Sequence, residues 1–257
     1  MTTVPDNSFA AKLRALTPAR VRLANFGNAP PLEAVLDFQL SHARARDAIN
    51  NPLNTAEVAA ALSPLDVINV VSRAPDRSTY LRRPDLGRQL AVESRQALRT
   101  EPCDIVFVLA DGLSATAVEH HAAAVVQATL ARLPDWSIGP VVIASQARVA
   151  IGDEIGEALS AEFCVVLIGE RPGLSVSDSL GVYITYRPRV GRADSERNCI
   201  SNIHTNGGLS PTLASAKLAW LLGEARKLRC TGIGLKDEMT EELPGSNLLS
   251  LPGPAVA

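Results

Sequence analysis

Beyond residue 100, short apolar runs alternate with segments of helical spacing, and this alternation constrains the fold more than any other feature of the chain. The runs 103–110, 140–144, 163–168 and 182–186 are dominated by Val, Ile, Leu and other apolar residues, a pattern that suits strands buried on both faces. Helical segments lie between and after them. Val118, Ala122, Val125 and Leu133 fall on one side of the first, 153–159 is a short second, and Ser210-Pro211 opens a long third that carries Leu218, Leu221 and Ala225. Such a sequence reads as α/β, with a mostly parallel Rossmann-like sheet and helices on both faces.

The first hundred residues have a different texture. Leu32, Val35, Leu36, Leu40 and Ala43 form one stripe at helical spacing. A further helix is expected over 84–98, where Pro84 suits a first helical position and Asp85 the positive end of the dipole. The β-branched run 66–71 reads as a strand. The expected organisation is a smaller, mainly helical part at 1–100, an α/β domain at 101–240, and a loose Pro-, Gly- and Ser-rich tail at 241–257.

Composition excludes several classes. A net charge of −2 does not suit a dedicated nucleic-acid binder. No apolar run approaches the ~20 residues of a spanning helix, and the N-terminus lacks a signal-peptide layout. The expectation is therefore a cytosolic protein. Cys103 and Cys164 read as reduced core thiols, while Cys199 lies in a polar segment. Along the chain no His, Cys and carboxylate grouping has the spacing of a zinc site, so a protein-bound metal is not expected.

Several segments follow strands and so reach the edge where open α/β sheets meet ligands. Gly169-Glu170-Arg171-Pro172-Gly173 delivers a carboxylate and a guanidinium there, with glycines that admit a second backbone or a bulky ligand. At Asp111-Gly112-Leu113-Ser114, exposed amides taking an anion and a plain turn capped by Ser114 are both open readings. After 140–144 comes Arg148-Val149-Ala150, then Asp153-Glu154 at a helix start, where two acids complement the dipole. No dinucleotide-binding glycine fingerprint follows any strand. The polar segment Arg197-Asn198-Cys199-Ile200-Ser201-Asn202-Ile203-His204 favours recognition. Its Asn202-x-His204-x-x-Gly207 resembles the cobalamin motif in which histidine replaces the lower axial ligand, but the aspartate is missing, so His204 reads as a surface or interface histidine. Arginines gather at 42–47 and 80–88, either for bidentate contacts or on a solvated face, with Asp47 a partner for Arg44 or Arg46.

Seven of these stretches resemble, in order, the light chain of ethanolamine ammonia-lyase: Phe-Gln-Leu-Ser-His-Ala-Arg-Ala-Arg-Asp (38–47), Tyr-Leu-Arg-Arg-Pro-Asp-Leu-Gly-Arg (80–88), Ala-Asp-Gly-Leu-Ser-Ala (110–115), Gly-Asp-Glu-Ile-Gly (152–156), Gly-Glu-Arg-Pro-Gly-Leu (169–174), Asp-Ser-Leu (178–180) and Cys-Ile-Ser-Asn-Ile-His (199–204). The resemblance implies a subunit, inactive alone, of an adenosylcobalamin-dependent radical lyase that converts ethanolamine to acetaldehyde and ammonia. It implies a barrel-forming heavy chain that carries the substrate site, a hetero-oligomer, and a corrin enclosed between the two chains. By motif position the corrin contacts fall on Val149, Glu170 and Cys199, with no catalytic acid, base or nucleophile required of this chain. Relatives with a longer N-terminal extension are associated with packaging into a bacterial microcompartment. Here about twenty residues precede the first family-like segment, and 8–13 reads as a short helix packing on the heavy chain. The competing readings are a purely structural subunit and an independent enzyme binding a nucleotide at Asp111-Gly112.

Overall fold

A computed structural model describes residues 31–239 and the isolated positions 12 and 16. Of the expected helix at 8–13 only Lys12 is described, and the tail at 241–257 lies outside the described residues. Six strands form one mixed sheet: β1 (Val67–Val71), β2 (Cys103–Ala110), β3 (Val141–Ser145), β4 (Ala161–Gly169), β5 (Leu180–Tyr186) and β6 (Asn198–Ile203), in spatial order β1-β3-β2-β4-β5-β6. The pairs among β1, β3, β2 and β4 are parallel, whereas β4–β5 and β5–β6 are antiparallel. The strand read at 66–71 thus joins the same sheet as the later ones.

The apolar runs are continuous because both faces of the sheet are covered. Along β2, Ile105, Phe107 and Leu109 enter one hydrophobic layer, and Val106, Val108 and Ala110 enter the other. The first layer is closed by the helical stretch after β2 and by the long C-terminal helix. The former runs from α5 (Ala115–Ala117) through a π-helical turn (Val118–Ala122) into α6 (Ala123–Leu130); the latter is α8 (Pro211–Leu228). The second layer is closed by α7 (Ile151–Leu159), through Ile151, Ile155 and Leu159. Ser210 caps α8 by accepting from the Leu213 amide, with Pro211 in its first turn, as its sequence signals require.

The N-terminal segments differ from expectation in two ways. No helix spans 84–98. Instead α3 (Arg77–Arg82) ends before Pro84, Leu86–Arg88 makes one 3-10 turn, and α4 (Val92–Ala97) follows. The break has a tertiary cause: the Gly87 and Gln89 carbonyls accept from the Arg148 and Arg73 amides at 2.8 and 2.9 Å, and the Leu90 amide donates to Glu154, so these groups are not available for helical bonds. Gly87 also lies against the ring of buried Tyr80. Segment 89–94 also closes the outer side of β1 at its C-terminal end. The Ala91 amide donates to the Val71 carbonyl at 3.0 Å, and the Val71 amide donates to the Ser94 hydroxyl at 2.9 Å. The second difference is α1 (Leu32–Asn50), which forms as expected and is followed by the short α2 (Thr55–Ala61). Its apolar stripe is not buried: Leu32, Leu36 and Leu40 remain 73, 55 and 50 % exposed. Asp47 forms an ion pair with neither Arg44 nor Arg46 among the described residues. No described helix is long and apolar enough to cross a membrane.

Candidate functional site

The chain leaves β2 toward one hydrophobic layer and leaves β3 toward the other. The C-terminal ends of these neighbouring strands therefore part into a crevice, the usual ligand position in an open α/β sheet. A cavity of about 530 Å³ opens there, lined by residues that follow β2 (Gly112, Leu113), β3 (Arg148, Val149, Ala150) and β4 (Glu170, Arg171), and by Pro84 and Arg88.

Its floor is a close meeting of backbones. Gly112 has φ of +55°, and a Cβ there would collide with the Gly169 carbonyl; one on Gly169 would collide with the Ser114 carbonyl. The Leu113 amide donates to the Gly169 carbonyl at 2.9 Å, the Ser114 amide to the Asp111 carbonyl, and the Ala117 amide to the Ser114 hydroxyl. Ser114 is therefore the helix cap, and these amides are not free to hold an anion. Asp111 is structural as well. Its buried carboxylate accepts from the amides of Gln146 and Ala147, both at 2.9 Å, and from Arg77 at 3.3 Å, which ties the end of β2 to the loop after β3. Burial raises the Asp111 carboxyl above its ordinary value, opposed by those donors.

One wall is an aromatic stack. The Tyr80 hydroxyl donates to the Ala147 carbonyl at 2.9 Å, and the guanidinium groups of Arg148 and Arg77 lie over its ring at 4.4 and 4.8 Å. The arginine-rich stretch 80–88 is thus no solvated face throughout: Tyr80 is fully buried, and Pro84 and Arg88 line the cavity. Beside this wall, Asp153 and Glu154 do more than complement a dipole. Asp153 is buried and bound through both oxygens to Arg197, at 2.7 and 2.8 Å, while Glu154 accepts from the Leu90 amide at 3.1 Å.

The opposite wall carries Glu170. Ser179 donates to its Oε2 at 2.6 Å, the Ser201 hydroxyl to its Oε1, and the Asn202 amide to Oε2 at 3.3 Å. The carboxylate is therefore fixed by β5 and β6 while Glu170 still lines the cavity. A carboxylate offers about four lone-pair positions, so acceptor capacity remains toward the opening. Tyr183, half-buried on β5, also lines the cavity and pairs in register with Cys199 on β6. Burial, reinforced by neighbouring Cys199 and Glu170, pushes the Tyr183 phenol above its ordinary value and keeps it a neutral donor.

Of the three residues singled out in the sequence, Val149 and Glu170 share this cavity; Cys199 is exposed behind Tyr183, one strand further out. His204, expected as a surface or interface histidine, is buried within this chain. Its Nε2 is 2.9 Å from Asn202 Oδ1, and its Nδ1 accepts from the Asn206 amide at 3.2 Å, so both ring nitrogens are engaged within the chain. Ser179, Ser201 and Tyr183 had no role assigned from sequence, although the two serines fall inside the quoted stretches 178–180 and 199–204.

The ethanolamine ammonia-lyase light-chain family matches residues 7–236. The chain belongs to this family. Similar light-chain relatives are each named ethanolamine ammonia-lyase small subunit. That of Rhodopseudomonas palustris is 51 % identical over 249 residues, covering 94 % of this chain and 95 % of its own. That of Bradyrhizobium diazoefficiens is 49 % identical over 248 residues, with 93 and 95 % covered. That of Xanthomonas campestris is 47 % identical over 262 residues, with 98 and 96 % covered. The family match at 7–236 spans the segments that line the cavity.

Proposed function

We propose that this chain is the small subunit of an ethanolamine ammonia-lyase that joins a larger chain and encloses one side of adenosylcobalamin, in the cytoplasm. The single observation that carries the reading is Glu170: a carboxylate at a strand end, fixed by two serine hydroxyls, that lines an open crevice. The residues suit the cofactor. Cobalamin has a fringe of primary amides whose N–H groups need acceptors once water is removed, and Glu170 is such an acceptor, held in place before anything binds. A cavity of about 530 Å³ fits drug-sized molecules and admits only part of a corrinoid, which agrees with a second chain completing the site. The exposed stripe of α1 is an apolar surface of the kind that subunit contacts cover.

When bound, the cofactor supplies the radical chemistry that acts on ethanolamine. The residues of this chain bind and orient. Glu170 accepts from peripheral amides, Val149 offers backbone and apolar contact, and Cys199 is small enough for a bulky group to approach the outer strand. Tyr183 covers the space between Glu170 and Cys199. No proton transfer is assigned to this chain.

A second reading, a structural subunit without cofactor contact, is favoured by the same hydrogen bonds, because they already satisfy part of Glu170 internally. The experiment is acetaldehyde formation from ethanolamine with adenosylcobalamin, using each chain alone and both together, followed by cobalamin affinity of the complex carrying Glu170→Gln. Activity only in the mixture, with affinity weakened about tenfold or more as expected for loss of a charged hydrogen-bond acceptor, supports cofactor contact. Unchanged affinity in an intact complex leaves the structural reading. No activity from a folded, assembled complex overturns the enzyme reading itself.

A further inference from the structure

We propose that His120, His121 and Asp178 form a binding site for a divalent transition-metal ion of the zinc class, outside the cavity described above. The two histidines sit in the π-helical turn Val118–Ala122, and Asp178 sits just before β5. His120 Nδ1 is 3.1 Å from Asp178 Oδ2, and His121 Nε2 is 3.6 Å from the same oxygen. One ligand atom from each residue lies within 4.8 Å of the others. Tetrahedral zinc, with bonds of about 2.0–2.2 Å, holds its ligand atoms about 3.3 Å apart. Two of the three separations are already within a few tenths of an ångström of that value.

Two further observations make this a built arrangement rather than a surface coincidence. Consecutive residues of a regular helix point about 100° apart, yet these two lie in a π turn and both rings reach one carboxylate, edge to face with centroids 5.8 Å apart. Turns of this kind interrupt helices frequently at functional sites. Second, His121 is only 4 % exposed, and its Nε2, aimed at Asp178, makes no hydrogen bond among the described residues. A hydrogen bond to the carboxylate accounts for His120 and leaves His121 Nε2, 3.6 Å from the same oxygen, without one, which is costly for a buried polar atom. A metal ion uses it.

Two imidazoles and one carboxylate suit Zn²⁺, and also Ni²⁺, Co²⁺ or Cu²⁺, over Mg²⁺ or Ca²⁺. His120 and Asp178, 56 and 28 % exposed, leave an approach from solvent. With three protein ligands the fourth position falls to water. Ser179, the next residue after Asp178, holds Glu170. An ion bound here fastens the 170–180 segment to the helical stretch after β2, beside the wall that carries Glu170.

The test is a zinc titration, against a chromophoric chelator, of the assembled two-chain complex after chelator stripping. Wild type is compared with complexes carrying His120→Ala or Asp178→Asn in this chain. The expected result is one binding equivalent per small subunit that each variant weakens at least tenfold, since loss of an outer partner alone costs that much. Zinc also raises the thermal midpoint of the wild type and not of the variants. Because His120 is the exposed member, His120→Ala decides the matter even where Asp178→Asn disturbs the fold. Identical isotherms for wild type and His120→Ala overturn the proposal.

Discussion

The buried pair Asp153–Arg197 ties α7, which follows Val149, to the start of β6, which carries Cys199 and Ser201. Asp153 lies in the first turn of α7, four residues after Val149; Arg197 lies two residues before Cys199. Their side chains are 4 and 2 % exposed, and the contact is bidentate at 2.7 and 2.8 Å. Removing one member of such a pair strands the other as a buried charge, at about 3–5 kcal/mol. Arg197 keeps Thr185 Oγ1 at 2.8 Å, the Arg192 carbonyl at 3.2 Å and the exposed Asp194 carboxylate at 3.5 Å, which places Asp153→Asn at or near the lower limit, about 3 kcal/mol. At about 2–4 °C per kcal/mol for a chain of this size, the thermal midpoint falls by roughly 10 °C. Urea unfolding followed by circular dichroism measures the loss directly. The double variant Asp153→Leu with Arg197→Met should recover most of it, because an apolar pair removes both desolvation penalties. Arg83→Ala, which breaks the exposed pair with Asp85, is the control and should change nothing measurable. A loss below about 1 kcal/mol for Asp153→Asn, or a double variant worse than the single, would refute the reasoning.

Other outcomes follow from single contacts. Gly169→Ala forces a methyl against the Ser114 carbonyl and within 2.7 Å of the Asp111 carbonyl; about 2–3 kcal/mol should be lost in the same unfolding assay. Tyr80→Phe removes the hydroxyl that satisfies the Ala147 carbonyl and should cost about 1–2 kcal/mol, with Gly87 and the Arg148 stack intact by crystallography. In the assembled enzyme, alkylation should reach exposed Cys199, slow when cobalamin is added, and reach buried Cys164 only on unfolding. Burial raises the Cys199 thiol as well, so labelling is run at alkaline pH, and it holds the Cys164 thiol well above its ordinary range, far from the reactive thiolate. Mass spectrometry of the alkylated peptides reads both residues, and equal labelling of Cys199 with and without cobalamin would count against the place beside a cofactor proposed for it.

The sheet was legible wherever a run of residues carries its own instruction. Along β2, Ile105 through Ala110 is apolar at every position, so a strand covered on both faces followed from composition alone. Ser210 and Pro211 announced the start of α8 in the same local way. What failed depended on partners distant in sequence. Pro84 and Asp85 have the chemistry of a helix start, but the Gly87 carbonyl is taken by the amide of Arg148, far along the chain. Asp153 suits a helix dipole and gives no sign of Arg197, 44 residues later. Val149 and Glu170 could be placed at one sheet edge because each follows an apolar strand. The serines that hold Glu170 could not, since Ser179 comes from the loop just before β5 and Ser201 from β6. Adjacent histidines at 120 and 121 give no metal spacing until the π turn and the course of the chain to Asp178 are known.

The strap that 89–94 lays across the end of β1 has a bearing on how this molecule meets others. An outermost strand with free amides and carbonyls is a template on which a neighbour can crystallise its own backbone, and proteins suppress that by bulges, charges or cover. Here the Val71 end is already spoken for by Ala91 and Ser94 of the same chain. A second molecule seeking to lengthen the sheet at that end finds no backbone to read, so recognition there must be made with side chains, whose identity selects the partner.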